Sequence, residues 1–256
     1  MIATLGVAGA LIGTLHGFGP EGLAAMAAGG ALDRSVLRPP ALKGKVLEID
    51  PATALSAAAC ARLRPCLGGV PDLRIGIVVA SRIGNYQILG SFSGKVRRGS
   101  RSPVQFSGSG YNVCAGVAAM AAGVNGPSLA LAGRSANLGD ALGIAAFDMM
   151  RGDADAMIVG AVAVEESGKA GAGAFLAVTA RPAAGAPVLR LGADTESEPA
   201  PLPLPGSAAA LLLARLPELA LPFALASALE DGASPRPARF DFPDAAAVRR
   251  VDLTQA

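Results

Sequence analysis

The residue best placed for covalent chemistry is Ser135, inside the block GPSLALAGRSANLGDALGIAAFDMMRGDADAMIVG that runs from Gly126 to Gly160. An apolar run ends just before it and a helical pattern starts just after it. A serine at such a turn holds its hydroxyl exposed beside the free N–H groups of a first helical turn, which can stabilise an oxyanion. The local sequence Gly133-Arg134-Ser135-Ala136-Asn137 nearly spells the G-x-S-x-G elbow, with Asn137 where the final glycine belongs. A serine alcohol is a weak nucleophile without a base, and the only histidine is His16, far upstream in a glycine-rich turn. No histidine follows Ser135, where a hydrolase of this pattern carries its acid and its base. Two readings of each residue stand at this point. Ser135 is a nucleophile served by a remote His16, or it is a helix cap or small buried side chain and His16 is a locally bonded loop residue.

Other groups offer less. Glu165-Glu166 and Asp153-x-Asp155 lie at the ends of elements, where solvation accounts for them. No histidine, cysteine or acid spacing suits a metal. Gly6, Gly9 and Gly13 give G-x-x-G-x-x-x-G, which is not the G-x-G-x-x-G of a dinucleotide site. The expectation is a chain with neither cofactor nor metal.

The elements that would position Ser135 read as α/β. Residues 2–9 fit an opening strand, and Pro20 starts a short helix that Gly29 and Gly30 end. Asp50 and Pro51 mark the next helix start, with Ala57, Cys60, Ala61 and Arg64 following and Pro65 as the stop. The run Leu73 to Ala80, LRIGIVVA, has the continuous apolar character of a strand covered on both faces. Ser81 to Ser109 reads as a long polar loop carrying the basic cluster Lys95, Arg97, Arg98 and Arg101, whose charges could meet an acidic carrier or a partner subunit. Tyr111 to Ala122 is a small-residue helix closed by Gly123. Ser128 to Ala132 is a strand, Leu138 to Met149 a helix and Ala156 to Val164 a strand, the spacing of a right-handed crossover between parallel strands. Asn137 with Asp140, or Ser135, would cap that helix. Ala174 to Thr179 reads as one further strand.

Beyond Arg190 the chain changes character. Glu196 to Pro205 is a proline-rich linker, Ser207 to Leu229 reads as one broken or two short helices, and Ala233 to Pro243 is again proline-rich. The expected division is therefore residues 1–190 as the body and 191–256 as a linker with a short helical appendage, which would cover an otherwise exposed sheet face.

Composition narrows the partners. Of 256 residues 52% are apolar and 16% charged, against about 25% charged in an average soluble domain. That deficit fits a face hidden by an obligate partner. The net charge of +2 and an aromatic content of 4% give no case for nucleic acid. Arg215, Pro217, Glu218 and Pro222 interrupt the apolar stretch from Leu202 to Leu229, so no membrane span is expected. Cys60, Cys66 and Cys114 fit neither a disulfide framework nor a zinc knuckle and read as apolar side chains in a reducing cytoplasm.

Phe106 through Val162 resembles the N-terminal half of a β-ketoacyl synthase of the thiolase superfamily. The features that carry the resemblance are Gly126-Pro127-x-Leu129 entering a strand, Arg134-Ser135-Ala136-Asn137 at the nucleophile turn, Met150-Arg151-Gly152-Asp153-Ala154-Asp155 closing the helix, and Gly160-Ala161 in the next strand. The likeness extends more loosely over residues 1–180. It implies a thiolase-like α/β fold, its N-terminal half only, with a mostly parallel five-stranded sheet and helices on both faces. Ser135 stands where the family has a nucleophilic cysteine, and the second half that carries the family's two histidines does not follow.

Those departures resemble a chain-length factor, a non-catalytic companion that pairs with a full-length β-ketoacyl synthase in type II polyketide, aryl-polyene or fatty-acid-like pathways. The resemblance implies a heterodimer in which Ser128, Leu129, Ala130 and Leu131 pair across the two-fold axis and Tyr111, Asn112, Cys114 and Met120 help wall the partner's acyl tunnel. An acyl carrier protein is the possible contact of Lys95, Arg97, Arg98 and Arg101. The alternatives are a Ser135-dependent acyltransferase or hydrolase and a homodimeric acyl-binding or scaffold protein.

Overall fold

The computed structural model describes residues 3–44, 48–82, 84–133, 138–193, 216, 219–230, 238–243 and 248–255. Its apolar runs join in one mixed sheet. In chain order the strands are β1 (Ala3–Thr14), β2 (Gly17–Phe18), β3 (Ile75–Ser81), β4 (Ser128–Ala132), β5 (Ala156–Val164), β6 (Gly171–Thr179), β7 (Pro187–Ala193), β8 (Ala238–Pro243) and β9 (Val248–Gln255). They lie in the order β4-β3-β5-β6-β1-β7-β9-β8, with β2 folded back on β1.

The α/β class and the thiolase-like crossover hold, but among the described residues the sheet has nine strands and is mixed, instead of five-stranded and mostly parallel. Among the described residues only β3 with β4 and β3 with β5 are parallel pairs. Those are the strands whose connections contain helices, and a parallel return needs such a crossover. β5 instead turns into β6 through a short connection and pairs with it antiparallel. β1 then inserts between β6 and β7, antiparallel to both. Glycine permits close approach at two points in this arrangement. A Cβ on Gly126 would meet the Ile75 carbonyl oxygen, and one on Gly160 would meet the Phe175 ring.

The helices are α1 (Gly19–Ala27), α2 (Arg34–Leu37), α3 (Pro51–Leu63), α4 (Tyr86–Arg97), α5 (Pro103–Gly108), α6 (Val113–Ala122), α7 (Leu138–Met150) and α8 (Ala220–Glu230). They cover both faces, as expected. Leu138, Leu142, Ala145 and Met149 of α7 share one core with Phe223 and Leu225 of α8 and with Val78, Val159 and Leu176 of the sheet. On the other face Leu55, Ala59 and Leu63 of α3 and Cys114, Ala115 and Ala118 of α6 pack on Ile77, Ile158 and Phe175. Punctuation at the helix ends is mostly as read. Asp50 accepts the Ala52 N–H at the start of α3, and Gly123 ends α6 with φ 68°. The proposed capping of α7 by Ser135 or Asn137 lies outside the described residues.

Two regions differ from the sequence reading. Residues 81–109 are not one polar loop, because α4 and α5 occupy most of them. Tyr86, Leu89, Phe92 and Val96 do recur at helical spacing, but serine and glycine dilute the stripe and the helix buries only Ile88. The second is the tail. β9 pairs along the whole of β7 and β8 pairs with β9, so these residues extend the sheet of the body across the expected boundary at 190. Proline richness hid the alternation Arg239-Phe240-Asp241-Phe242, which is a period-two strand pattern.

Candidate partner-binding surface

Among the described residues β4 is an edge strand, with a hydrogen-bonded neighbour on one side only. Its five residues, Ser-Leu-Ala-Leu-Ala, carry no charge, no proline and no bulge, the usual means of protecting an edge. Ser128 and Ala132 are exposed, Leu129 is 42% exposed, and Ala130 and Leu131 are half-buried. Such an edge offers unpaired backbone groups and apolar side chains together, the two requirements for strand addition.

The expected tunnel-wall residues divide. Tyr111, Asn112 and Met120 are exposed, and Gly116 opens onto empty space between them on α6. Cys114 departs from that expectation: it is 1% exposed, its side chain belongs to the core between α6 and the sheet, and its thiol reaches the Tyr111 carbonyl. Burial pushes the Cys114 thiol up to about 11 and the Cys60 thiol higher still, so neither is a thiolate nucleophile near neutrality.

Sequence reasoning missed the apolar face of the α4–α5 arm. Tyr86, Leu89, Val96, Val104 and Phe106 are exposed there, and Phe92 tilts against Phe106 with ring centroids 5.8 Å apart. The helical spacing of Tyr86, Leu89 and Val96 was the available signal. The arm adjoins Tyr111, whose ring would collide with any Cβ on Gly84. Lys95 is half-buried at the end of this arm, Arg97, Arg98 and Arg101 are exposed, and none of the four pairs with an acid among the described residues. Between the start of α3, α5 and α6 lies a cleft of about 300 Å³ with Asp50 and Thr53 at its polar end and Val104, Val113, Val117 and Met120 along its walls.

The catalytic candidates are not brought together by anything described. Ser135 lies outside the described residues. His16 sits just beyond the carboxyl end of β1, where its Nδ1–H donates to the Ala31 carbonyl at 3.2 Å. β1 is four places from β4 in the sheet, about 19 Å at a strand spacing of ~4.8 Å. Among the described residues no three histidine, cysteine or acidic side chains gather as a metal site, and no helix is long and apolar enough to cross a membrane.

The frame is thus a crossover sheet with two helices under one face and, among the described residues, an apolar strand at its edge. The model of the β-ketoacyl synthase N-terminal domain matches residues 43–179, over half of the chain, and the protein belongs to that family. No curated protein matches its sequence significantly. Among solved structures it is similar to the ishigamide ketosynthase/chain length factor, with a TM-score of 0.66 at 17% identity, covering 98% of this chain and 99% of that one. A second similar structure is the ketosynthase ApeO in complex with its chain length factor ApeC from Xenorhabdus doucetiae, with a TM-score of 0.62 at 13% identity and coverage of 97% and 99%. A third is the AntDE:AntF complex of a type II polyketide acyl-carrier protein with its hexaketide-bound ketosynthase, with a TM-score of 0.52 at 13% identity, covering 69% and 62%.

Proposed function

We propose that this chain is a non-catalytic, chain-length-factor-like subunit that pairs in the cytoplasm with a full-length β-ketoacyl synthase and helps wall its acyl tunnel, in a type II polyketide, aryl-polyene or fatty-acid-like pathway. The observation that carries the reading is the apolar edge of β4, bare among the described residues, which lies beside α6, where Tyr111 and Asn112 just before the helix and Met120 within it are exposed. An unprotected edge of this kind is an aggregation hazard unless another chain covers it. The end-to-end likeness to structures of ketosynthase and chain length factor pairs supports a cover of that class. Serine in place of cysteine at position 135 supports the non-catalytic part, since condensation needs a thiolate. Lys95, Arg97, Arg98 and Arg101, cations with no acidic partner among the described residues, suit an acidic acyl carrier protein.

The test is native purification with identification of the bound protein, followed by a condensation assay on the pair and on the isolated chain. A one-to-one complex with a ketosynthase is expected, with condensation by the pair alone. Condensing activity from the isolated chain, or a stable homodimer that no ketosynthase displaces, would overturn the reading. So would stoichiometric labelling by a serine-directed acylating probe that Ser135→Ala abolishes.

A further inference from the structure

α4 begins without a cap of its own. Asn85 occupies the capping position, but its side chain makes no capping bond. Its amide nitrogen donates to the carbonyls of Gly108 and Gly110 at 3.0 and 2.8 Å, and its amide oxygen accepts from the Thr53 hydroxyl. The cap comes from elsewhere in the chain. Asp50 Oδ2 accepts the N–H groups of Gln87 and Ile88 at 3.0 and 3.3 Å, while Oδ1 accepts that of Ala52 at 3.0 Å. One carboxylate therefore closes the amino ends of two helices, α3 and α4, and both helix dipoles favour a negative charge at that point.

Beyond these bonds and those of Asn85, few ties fix the arm among the described residues. α4 buries one side chain, Ile88, and α5 buries one, Gln105, whose amide nitrogen donates to Glu48 Oε1 and Ser91 Oγ at 3.0 and 3.2 Å. Gln87 adds a side-chain bond to the Glu166 carbonyl at the turn between β5 and β6. With so little apolar burial, the polar ties decide where the arm sits. Asp50 is 2% exposed, so water cannot readily replace the acceptors it supplies.

We propose that Asp50 is a positioning residue, whose single buried carboxylate locks the start of α4 to the start of α3 and so sets the pose of the α4–α5 arm on the candidate partner surface. The lock follows from the geometry of the free chain. Its effect on pairing rests on the subunit reading above. Asp50→Asn keeps the shape and removes one acceptor oxygen, so whichever way the amide turns, one helix start faces a donor. Asp50→Ser keeps a short acceptor for α3 and cannot span to α4.

The experiment is hydrogen exchange of the full chain, resolved by peptide, for the native protein and both variants. Asp50→Ser is expected to speed exchange in residues 86–108 by about tenfold or more, the scale of a lost cap, while α3 and the strands β3 and β5 are unchanged. Unchanged exchange in 86–108 overturns the proposal. Equal loss of protection through β3 and β5 also overturns it, because Asp50 then supports the whole fold and not the arm. The affinity of the same variants for the co-purified ketosynthase judges the subunit reading separately. Loosening of the arm with unaltered affinity leaves the lock in place and removes the arm from the partner surface.

Discussion

β3 and β4 are neighbours, parallel to each other, and built from the same kind of apolar residue, yet all seven positions of β3 are buried and none of the five in β4 is. The difference lies in what covers them. β3 has a strand on each side and helices α3 and α6 on one face and α7 on the other. Among the described residues β4 has a strand on one side only. Similar side chains therefore do different work: in β3 they hold the fold, and in β4 they stay at the surface, the face that the proposed partner would cover.

That contrast predicts a separation of effects. Ile77→Ala in β3 removes a fully buried side chain from the centre of the sheet, and should lower the unfolding free energy by about 2–5 kcal/mol in a urea titration. Leu129→Lys in β4 should leave the free chain within about 0.5 kcal/mol of native stability. The same change should weaken the proposed ketosynthase complex roughly thirtyfold or more, the loss of an interfacial hot spot of about 2 kcal/mol, as read by titration calorimetry. If Leu129→Lys unfolds the free chain instead, β4 belongs to the core and the contrast fails.

The same two strands show what the sequence makes legible. LRIGIVVA reads as a doubly covered strand because continuous apolar character has one cheap explanation. SLALA reads as a strand too, but nothing in five residues says whether a neighbour lies on one side or two. That depends on which strands the chain brings back later. The insertion of β1 between β6 and β7 and the return of β9 beside β7 are long-range choices with no local signature. The surface was half legible. Tyr111, Met120 and the β4 residues came from the family resemblance, whereas the arm stayed hidden because a helix with one buried side chain has almost no stripe to read. Asp50 was legible as the cap of α3 and illegible as the cap of α4, since its partners Gln87 and Ile88 lie far along the chain.

Asp50 sharpens the comparison by pH. Burial, partly opposed by its three backbone N–H bonds, raises its pKa above the usual carboxylate value. A raised folded value means that the residue's contribution to stability is complete at low pH and declines as pH rises through that folded value. Asp50→Asn does not titrate, so the stability of the native chain relative to this variant should be greatest near pH 4 and fall towards neutrality. A flat difference between pH 4 and 7 would mean that the carboxylate is not desolvated in the folded chain. Leu129→Lys has no such pH dependence, which distinguishes the lock of the arm from the open edge.

The smallest expected effect lies at the entry to β3. Arg74 donates through Nε and Nη2 to both carboxylate oxygens of Asp155 at 3.0 and 2.8 Å, and through Nη1 to the Gly152 carbonyl at 2.7 Å. The pair ties the residue before β3 to the residue before β5, and the guanidinium bond holds the Asp155 carboxyl below its usual value. A lowered folded value contributes stability above the unfolded pKa and loses it as pH falls through the folded one. The advantage of the native chain over Arg74→Ala should thus be constant near neutrality and shrink below about pH 4. It should also shrink in molar salt, because both groups are solvent-exposed and screened. Its size should be well under that of Ile77→Ala, since a surface clamp guides strand entry while the buried side chains of β3 hold the strand. An Arg74→Ala loss as large as that of Ile77→Ala would mean that β3 depends on its polar entry more than on its two covered faces.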